Sequence, residues 1–324
     1  MRQGSARSRL LKRTRARRSQ SAALELRGLD TEKANFASTN FDRKSAIEMV
    51  RIMNREDSKV AAAVNSALPE IAQAIEMVAK ALSRGGRLIY VGTGTSGRIA
   101  ALDAAECPPT FDIPARMVQF IIAGGTRALA AAVEADEDSR ELGRNAMAKR
   151  YPGKKDVVVG VAASGRTPFT IAALQYARAH GARTVAVVCN SKSPLGKVAH
   201  EEIVAEVGAE VIAGSTRLKA GTAQKMILNM ITTGAMTQLG YVYGNLMVNL
   251  HTRNSKLLER GIAILEKTTS LNHDAARKMV LAAKGRVPVA LVMAEARVDQ
   301  SRAIAALKQS EGRVRDAIAL AKSR

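Results

Sequence analysis

Short apolar runs that end in glycine-rich or hydroxyl-rich turns recur along this chain of 324 residues, and helical segments alternate with them. Four such runs occupy residues 87–91, 117–122, 156–161 and 184–189. Runs of β-branched residues that alternate with helical segments are typical of a parallel sheet covered on both faces. The pattern therefore predicts an α/β fold with a doubly wound parallel sheet.

Helical segments flank this region on both sides. Apolar residues recur at helical spacing after Asp42, the predicted cap, and again over residues 60–82, where the pattern stops at Gly85. After about Thr268 the strand runs end, and the sequence becomes rich in Ala, Leu and Lys. We predict four segments: a basic tail over 1–28, an N-terminal helical segment over 29–84, the α/β domain over 85–267 and a small helical subdomain over 268–324.

The formal net charge of +21 would ordinarily suggest a nucleic acid or an anionic membrane as partner. The charge is uneven, however, because the first 18 residues contain no acidic residue and these basic ones: Arg2, Arg7, Arg9, Lys12, Arg13, Arg15, Arg17 and Arg18. The tail is a solvated extension, an anion-binding arm or upstream sequence included by a misplaced start. Beyond non-specific contact by the tail, we expect no nucleic-acid partner.

Several signals bear on the cellular compartment. No apolar stretch of roughly 7–15 residues follows the basic region, and no uncharged apolar run reaches about 18–20 residues, so neither a secretory signal nor a membrane span is expected. Cys107 and Cys189 lack CxxC spacing, which fits a reducing compartment. The scattered histidines give no metal-ligand pattern. We expect a cytoplasmic protein that uses no metal and no cofactor.

The first glycine-rich turn spans residues 92–98 and matches the dinucleotide fingerprint GxGxxG. A nicotinamide site also needs an acidic residue about 20 positions on, but the second strand run leads into Ala123-Gly124-Gly125. The alternative is one phosphate monoester, bound by Thr95, Ser96 and the backbone amides around Gly97 at the helix N-terminus. The spacing favours a phosphosugar over a dinucleotide.

Two later turns repeat this chemistry. Ser164, Arg166 and Thr167 follow the third strand run, and parallel strands bind ligands beyond their carboxyl ends. Ser215 and Lys219 precede a long helix predicted from about Ala223. The hydroxyls there are either helix caps or contacts to an oxyanion or sugar hydroxyl.

Two acidic positions are candidates for proton transfer. Glu106 is predicted to follow the first glycine-loop helix, near the mouth of the sheet, and Glu137 lies in the acidic run 134–138. Both are read either as solvated carboxylates or as functional acids and bases, and composition does not decide between these readings.

Taken together, the motifs resemble the N-acetylmuramic acid 6-phosphate etherase family from about Leu29 to the C-terminus. The motifs that carry the resemblance are residues 94–98, 105–110, 163–168, 221–225 and 244–248, with Thr31, Glu32 and Asn35 near the start.

The resemblance implies a sugar isomerase (SIS) domain, a homodimer and a carbon-oxygen lyase. Such an enzyme cleaves the lactyl ether of N-acetylmuramate 6-phosphate in peptidoglycan recycling, a route of amino sugar catabolism. Glu106 matches the family's proton donor and Glu137 its second catalytic glutamate. The phosphate is then expected on Ser96, Ser164 and Thr167.

The sequence departs from the family pattern in places. Thr93 stands where the family commonly has Ala, Ala105 where Ser is usual, and Ala135-Asp136 where Gly-Ala is usual. Asp136 could raise the pKa of Glu137 by like-charge repulsion.

Two other functions remain open at this stage. A sugar-phosphate-sensing regulator uses the same domain type, but acidic residues dilute the charge of the segment before Gly85, which shows no clear helix-turn-helix. An aldose-ketose isomerase shares the acid-base requirement and differs in its product.

Overall fold

The computed structural model describes residues 28–249 and 254–323, so nearly all of the predicted basic tail lies outside the described residues. The described residues contain a five-stranded parallel sheet in the order β2-β1-β3-β4-β5. Its strands are Leu88–Gly92 (β1), Val118–Ile122 (β2), Val157–Val161 (β3), Arg183–Val188 (β4) and Glu201–Val204 (β5). The predicted α/β class with a parallel sheet is confirmed. β5 was not predicted, because two of its four residues are glutamates and no apolar run marks it.

Helices cover both faces of this sheet. They are Leu68–Ser83 (α3), Gly94–Phe111 (α4), Arg140–Ala148 (α5), Pro168–Ala179 (α6), Pro194–Val198 (α7) and Lys219–Gln238 (α8). Side chains alternate across a strand, so Leu88 and Tyr90 of β1 face α3, α4 and α8, whereas Ile89 and Val91 face α5, α6 and α7. Both sets are fully buried, which explains the continuous apolar runs in the sequence.

The strand order reverses at β1, which pairs with β2 on one side and β3 on the other. α4 leaves β1 toward one face of the sheet, and α6 leaves β3 toward the other. Gly92 pairs in register with Val161, so the two glycine-rich turns start at the same level. A crevice between diverging loops is where open α/β sheets bind ligands.

The N-terminal segment begins with three short 3-10 turns and continues into Ala46–Asp57 (α1) and Val60–Asn65 (α2). The predicted cap Asp42 is wrong: it lies in the turn Phe41–Arg43, and Ser45 precedes α1, with its backbone N–H donating to Glu48 (2.8 Å). The single helix predicted over 60–82 is two helices, because Pro69 stands in the first turn of α3 and starts a new one.

A separate helical layer follows the α/β region. It consists of Ser255–Thr268 (α9), His273–Ala282 (α10), Val287–Ala296 (α11), Gln300–Gln309 (α12) and Val314–Lys322 (α13). Ile262 and Leu265 of α9 are fully buried in the core formed by these helices. The predicted boundary at Thr268 is therefore too late, since α9 packs with the C-terminal helices. Within the described residues, no helix is both long and apolar enough to cross a bilayer.

Candidate active site

The turn between β1 and α4 forms the floor of the site. Gly94 has a φ of +49°, a conformation that favours glycine, and a Cβ atom there would lie 3.2 Å from Oε1 of Glu137. At Gly97 a Cβ would lie 2.6 Å from a side-chain carbon of Ile122, so a side chain would push α4 off β2. The first backbone N–H groups of this 18-residue helix have no partner within the helix and carry its positive dipole end. These features make the turn suited to an anion.

Glu137 lies directly above this helix N-terminus. It ends the short turn Glu134–Asp136, and its backbone carbonyl accepts a hydrogen bond from Phe169 at the start of α6 (3.1 Å). The carboxylate thus sits between the helices that follow the two glycine-rich turns. Sequence reasoning placed Glu137 in an acidic run, and the structure brings it to the predicted phosphate loop.

Two sets of electrostatic effects act in opposite directions on the pKa of Glu137. Partial burial raises the pKa of its carboxyl, and the nearby charges of Glu134 and Asp138 raise it further. A hydrogen bond from Thr93 and the charge of Arg98 lower it, without cancelling the rise. The neighbouring carboxylates that act on the pKa are Glu134 and Asp138, and not Asp136 as the sequence suggested.

The second turn follows β3 and faces the first. Ser164, Arg166 and Thr167 are all half-buried there, and the Ser164 hydroxyl accepts a hydrogen bond from the Arg166 backbone N–H (3.2 Å). Gly165 has a φ of +64° and packs against Ser193, which leaves no room for a side chain. The three predicted ligands of this turn therefore lie together at the carboxyl edge of the sheet.

The third predicted turn, which contains Ser215 and Lys219, leads into α8, and the start of α8 packs against the first turn. A Cβ at Gly221 would lie 3.4 Å from Thr95 and 3.5 Å from Ile99, so the starts of α8 and α4 are in close contact. The Ser96 hydroxyl donates to Oε1 of Gln224 (2.9 Å). Gln224 is 1% exposed, and its Nε2 has no acceptor among the described residues. A buried donor beside Ser96 favours an anionic ligand at this position.

Ser215 and Lys219 have different surroundings. Ser215 is half-buried in the loop before α8, where it remains a candidate ligand. Lys219 is 2% exposed, and its ammonium forms an ion pair with Glu56 (2.8 Å) on α1. The structure therefore contradicts the prediction of Lys219 as a substrate ligand, because its charge is buried and already paired.

Two residues near these loops were not predicted as site residues, although both belong to motifs that carry the family resemblance. Gln224 belonged to a motif quoted for the family resemblance, but its contact with Ser96 depends on how α8 packs on α4. Glu32 lies against the third loop, since a Cβ at Gly214 would lie 2.9 Å from its Oε2. The Gly214 backbone N–H donates to the carbonyl of Thr31 (3.0 Å), which holds the N-terminal segment over this edge of the sheet.

Glu106 lies away from the other predicted site residues. It is exposed and lies within α4, whose last turns contain Pro108 and Pro109. α4 runs back toward the amino edge of the sheet, and position 106 is 12 residues after Gly94, roughly 18 Å along the axis at about 1.5 Å per residue. The prediction that Glu106 follows the helix near the mouth of the sheet is therefore wrong.

The described residues contain no group of three or more His, Cys, Asp and Glu side chains that could hold a metal ion. Cys107 and Cys189 are buried and unpaired as thiols, and burial raises the pKa of each to about 12. Neither thiol is therefore a ready nucleophile.

Comparison with protein-family models gives two matches. The model for the glucokinase regulatory protein N-terminal SIS domain matches residues 70–178, and the model for the SIS domain matches residues 146–234. Among solved structures, phosphoheptose isomerase from Francisella tularensis is similar at 18% identity and a TM-score of 0.48, covering 60% of this chain and all of that one.

Curated relatives match almost the whole chain. N-acetylmuramic acid 6-phosphate etherase of Clostridium beijerinckii is 47% identical, over 91% of this chain and 97% of that protein. Etherase 1 of Enterococcus faecalis is 44% identical, over 91% and 99%, and the etherase of Photobacterium profundum is 45% identical, over 92% and 99%. Identity at this level over such lengths shows that the chain belongs to the N-acetylmuramic acid 6-phosphate etherase family.

Proposed function

We propose that this protein cleaves the lactyl ether of N-acetylmuramate 6-phosphate, giving N-acetylglucosamine 6-phosphate and D-lactate. The observation that carries the proposal is the position of Glu137: its carboxylate adjoins Gly94 at the N-terminus of α4, beside the turn that suits a phosphate. A sugar bound there through its phosphate lies within reach of a base. The relatives from Clostridium beijerinckii and Enterococcus faecalis are named N-acetylmuramic acid 6-phosphate etherases, which supports the same reaction.

The sugar phosphate is proposed to bind between the first two turns. The backbone amides from Gly94 to Gly97 and the hydroxyls of Thr95 and Ser96 provide donors on one side. Ser164, Arg166 and Thr167 provide donors on the other side, and a guanidinium binds phosphate through paired hydrogen bonds. The free Nε2 of Gln224 adds a donor beside Ser96, and Ser215 is left to contact a sugar hydroxyl.

The chemistry is an elimination followed by addition of water. In the ring-opened sugar the C1 aldehyde acidifies the proton on C2, and Glu137 removes it as general base. A pKa raised by burial makes this carboxylate a stronger base than a fully solvated one. The C3–O bond to lactate then breaks as an acid protonates the departing oxygen. The resemblance assigns this role to Glu106, which lies roughly 18 Å along α4 from Gly94 of its own chain, so we propose that Glu106 of the partner subunit acts here in the homodimer. Water adds to the unsaturated aldehyde and restores the hydroxyl at C3.

These steps require only proton transfers and water, so the proposal includes no metal and no cofactor. We further propose a homodimer in the cytoplasm that acts in peptidoglycan recycling. Phosphorylated amino sugars are charged and stay inside cells, which supports that compartment.

The direct test is to incubate the purified protein with N-acetylmuramate 6-phosphate and measure D-lactate with a coupled dehydrogenase. We expect lactate and N-acetylglucosamine 6-phosphate in equal amounts. Glu137→Gln is expected to lower kcat about 10²- to 10⁴-fold, because it keeps the shape of the side chain but removes the base. Binding of the substrate without turnover would instead support a sugar-phosphate sensor, and a ketose product would support an isomerase.

A further inference from the structure

A cavity of about 720 Å³ lies at the amino edge of the sheet, where Val157 begins β3 and Arg183 begins β4. The candidate active site lies at the other end of these strands. We call this space the amino-edge cavity and define it by the five basic side chains in its lining: Lys80, Arg84, Lys154, Lys155 and Arg183. Clefts of roughly 300–1,000 Å³ are typical of small-molecule sites. The amino-edge cavity therefore has the size of a ligand site and is separate from the turns at which we propose phosphate binding.

The charge in the amino-edge cavity is not balanced. Among the described residues, none of its five basic side chains has an ion pair or a side-chain hydrogen bond. Its lining also includes two acidic residues, Glu76 and Asp156. Asp156 is already engaged, because its carboxylate pairs with Arg87 (2.7 Å) and accepts from the Gly153 backbone N–H (3.0 Å). Glu76 is left to face five basic groups, so positive charge is in excess.

The backbone holds these basic groups close to one another. A Cβ atom at Gly86, just after α3, would overlap the backbone carbonyl of Lys155, so the end of α3 touches the loop before β3. Gly181 has a φ of +88°, and a Cβ there would lie 2.9 Å from Cγ of Lys154. The loop before β3 therefore also packs against the turn that leads into β4. Close contacts on both sides fix the loop that carries the two lysines.

Like charges held together in this way repel each other. At physiological ionic strength the repulsion between exposed charges extends over about 8 Å. The dipole of α3 favours a positive charge at its C-terminus, which stabilises Lys80 and Arg84. It does not neutralise Lys154 and Lys155, which lie in the loop before β3. A multiply charged anion in the cavity would remove the repulsion between all of these groups.

We infer that the amino-edge cavity binds a small anion with two or more phosphate groups. One phosphate carries a charge of only about −1.5 to −2, whereas a chain of phosphates can contact several basic groups at once. Met77, Ala81 and Val157 add an apolar part to the lining, which suits the organic part of a nucleotide. The basic groups converge on one cavity, whereas a nucleic acid contacts basic groups spread along its backbone. The inference goes beyond the proposed function and does not depend on it.

Lysine footprinting on the full chain locates the binding. The protein is acetylated briefly with and without tripolyphosphate, and the modification of each lysine is measured by mass spectrometry. We expect tripolyphosphate to protect Lys80, Lys154 and Lys155. Lys278 and Lys308, which are exposed on the C-terminal helices, should be modified equally with and without it.

Lys12 provides an internal control for the basic tail, which could also attract the anion. Protection of Lys12 together with the three cavity lysines is compatible with the inference. Protection of Lys12 alone, or equal protection of all lysines, would overturn it, because the anion would then bind the tail or the surface in general.

A pair of double variants tests whether the cavity or the net charge determines affinity. Lys80→Gln with Lys154→Gln removes two charges from the cavity, and both side chains are exposed, so the fold should persist. We expect the affinity for tripolyphosphate to fall at least about 10-fold by calorimetry at low ionic strength, since hydrogen bonds to charged groups are lost. Lys278→Gln with Lys308→Gln is the matched control, because it removes the same charge elsewhere and should change the affinity little. An equal loss in the two variants would contradict the inference.

ATP beside tripolyphosphate distinguishes the two sources of such an anion. Tighter binding of ATP would indicate a nucleotide whose organic part contacts the apolar lining, and equal binding would indicate inorganic polyphosphate. Either result supports the inference, whereas a wild-type protein that binds neither probe would overturn it. Lactate release plays no part in these measurements, so a failure of the proposed function is distinguishable from a failure of this inference.

Discussion

At the scale of single residues, Glu137 combines two requirements that normally conflict. A general base must be ionised to accept a proton, yet burial beside the sheet disfavours the charge and raises the pKa of its carboxyl. Thr93 and Arg98 moderate that rise. Thr93 therefore acts directly on the proposed base.

The first prediction concerns the pH dependence of the reaction. Thr93→Val removes a hydrogen bond that lowers the pKa of Glu137, so the pKa should rise and the base should remain protonated up to a higher pH. We expect the acid limb of the kcat/KM profile to move to higher pH. Glu134→Gln removes a charge that raises the same pKa and should move the limb to lower pH. Shifts in the same direction for both variants would contradict this assignment of the base.

The second prediction concerns phosphate recognition. Ser164→Ala removes a hydroxyl proposed to contact the phosphate, and a hydrogen bond to a charged group contributes about 1.5–3 kcal/mol. Affinity for N-acetylmuramate 6-phosphate should fall about 10- to 100-fold by calorimetry. The control ligand is N-acetylmuramate without the phosphate, whose weaker inhibition should not change. An equal loss for both ligands would show that Ser164 contacts another part of the sugar or shapes the loop.

At the scale of elements, a buried ion pair joins the N-terminal helix α1 to the start of α8, the helix that packs against the first glycine-rich turn. Glu56 on α1 accepts hydrogen bonds from Lys219 (2.8 Å), Lys59 and Asn35. Burial alone would raise the pKa of the Glu56 carboxyl, but these bonds lower it to about 2. Glu210, also buried, accepts from the backbone N–H groups of Lys219 and Ala220 (3.0 Å each). The start of α8 is thus fixed by two carboxylates from outside the helix.

The third prediction follows from that network. Glu56→Gln leaves the Lys219 ammonium buried without a counter-charge, and breaking a buried pair costs about 3–5 kcal/mol. We expect this loss in the free energy of unfolding by urea titration at pH 7. Lys59→Gln is the control, because the side chain of Lys59 is 58% exposed and an exposed pair contributes about 0–1 kcal/mol. Equal effects of the two variants would contradict the account.

The same pair predicts a dependence of stability on pH. The folded-state pKa of Glu56 lies below its ordinary value of 4.5, so its contribution is complete above pH 4.5 and declines as the pH falls toward about 2. The difference in unfolding free energy between the wild type and Glu56→Gln should therefore shrink over that window. A difference that stays constant down to pH 2 would show that the ion pair is not its source.

The elements also show what the sequence can and cannot predict. β1 to β4 can be predicted from the sequence as apolar runs, because both their faces are buried. β5 is an edge strand with two glutamates, so no apolar run marks it in the sequence. Glu106 was placed after α4 because two prolines normally end a helix, but here they occupy its last turns. Lys219 was predicted to be a ligand because the sequence does not reveal its ion pair with Glu56, which lies 163 positions away in the chain.

At the scale of the whole molecule, the described residues form two packed regions with separate buried cores. The α/β region has buried layers on both sides of its sheet, and it carries the turns at which we propose phosphate binding. The C-terminal helices, from α9 onward, have a core of their own. The end of the strand runs after Thr268 predicted a helical C-terminal region. In the structure this region starts earlier, because α9 packs against the helices that follow it.

The central claim is that the ether is broken by elimination across C2 and C3. The most direct measurement is to run the reaction in deuterated water and to follow D-lactate together with deuterium at C2 of N-acetylglucosamine 6-phosphate by mass spectrometry and NMR. The account predicts lactate release with deuterium at C2 of every product molecule, because the base removes that proton and solvent returns it. Lactate released with the original C2 proton retained would contradict it.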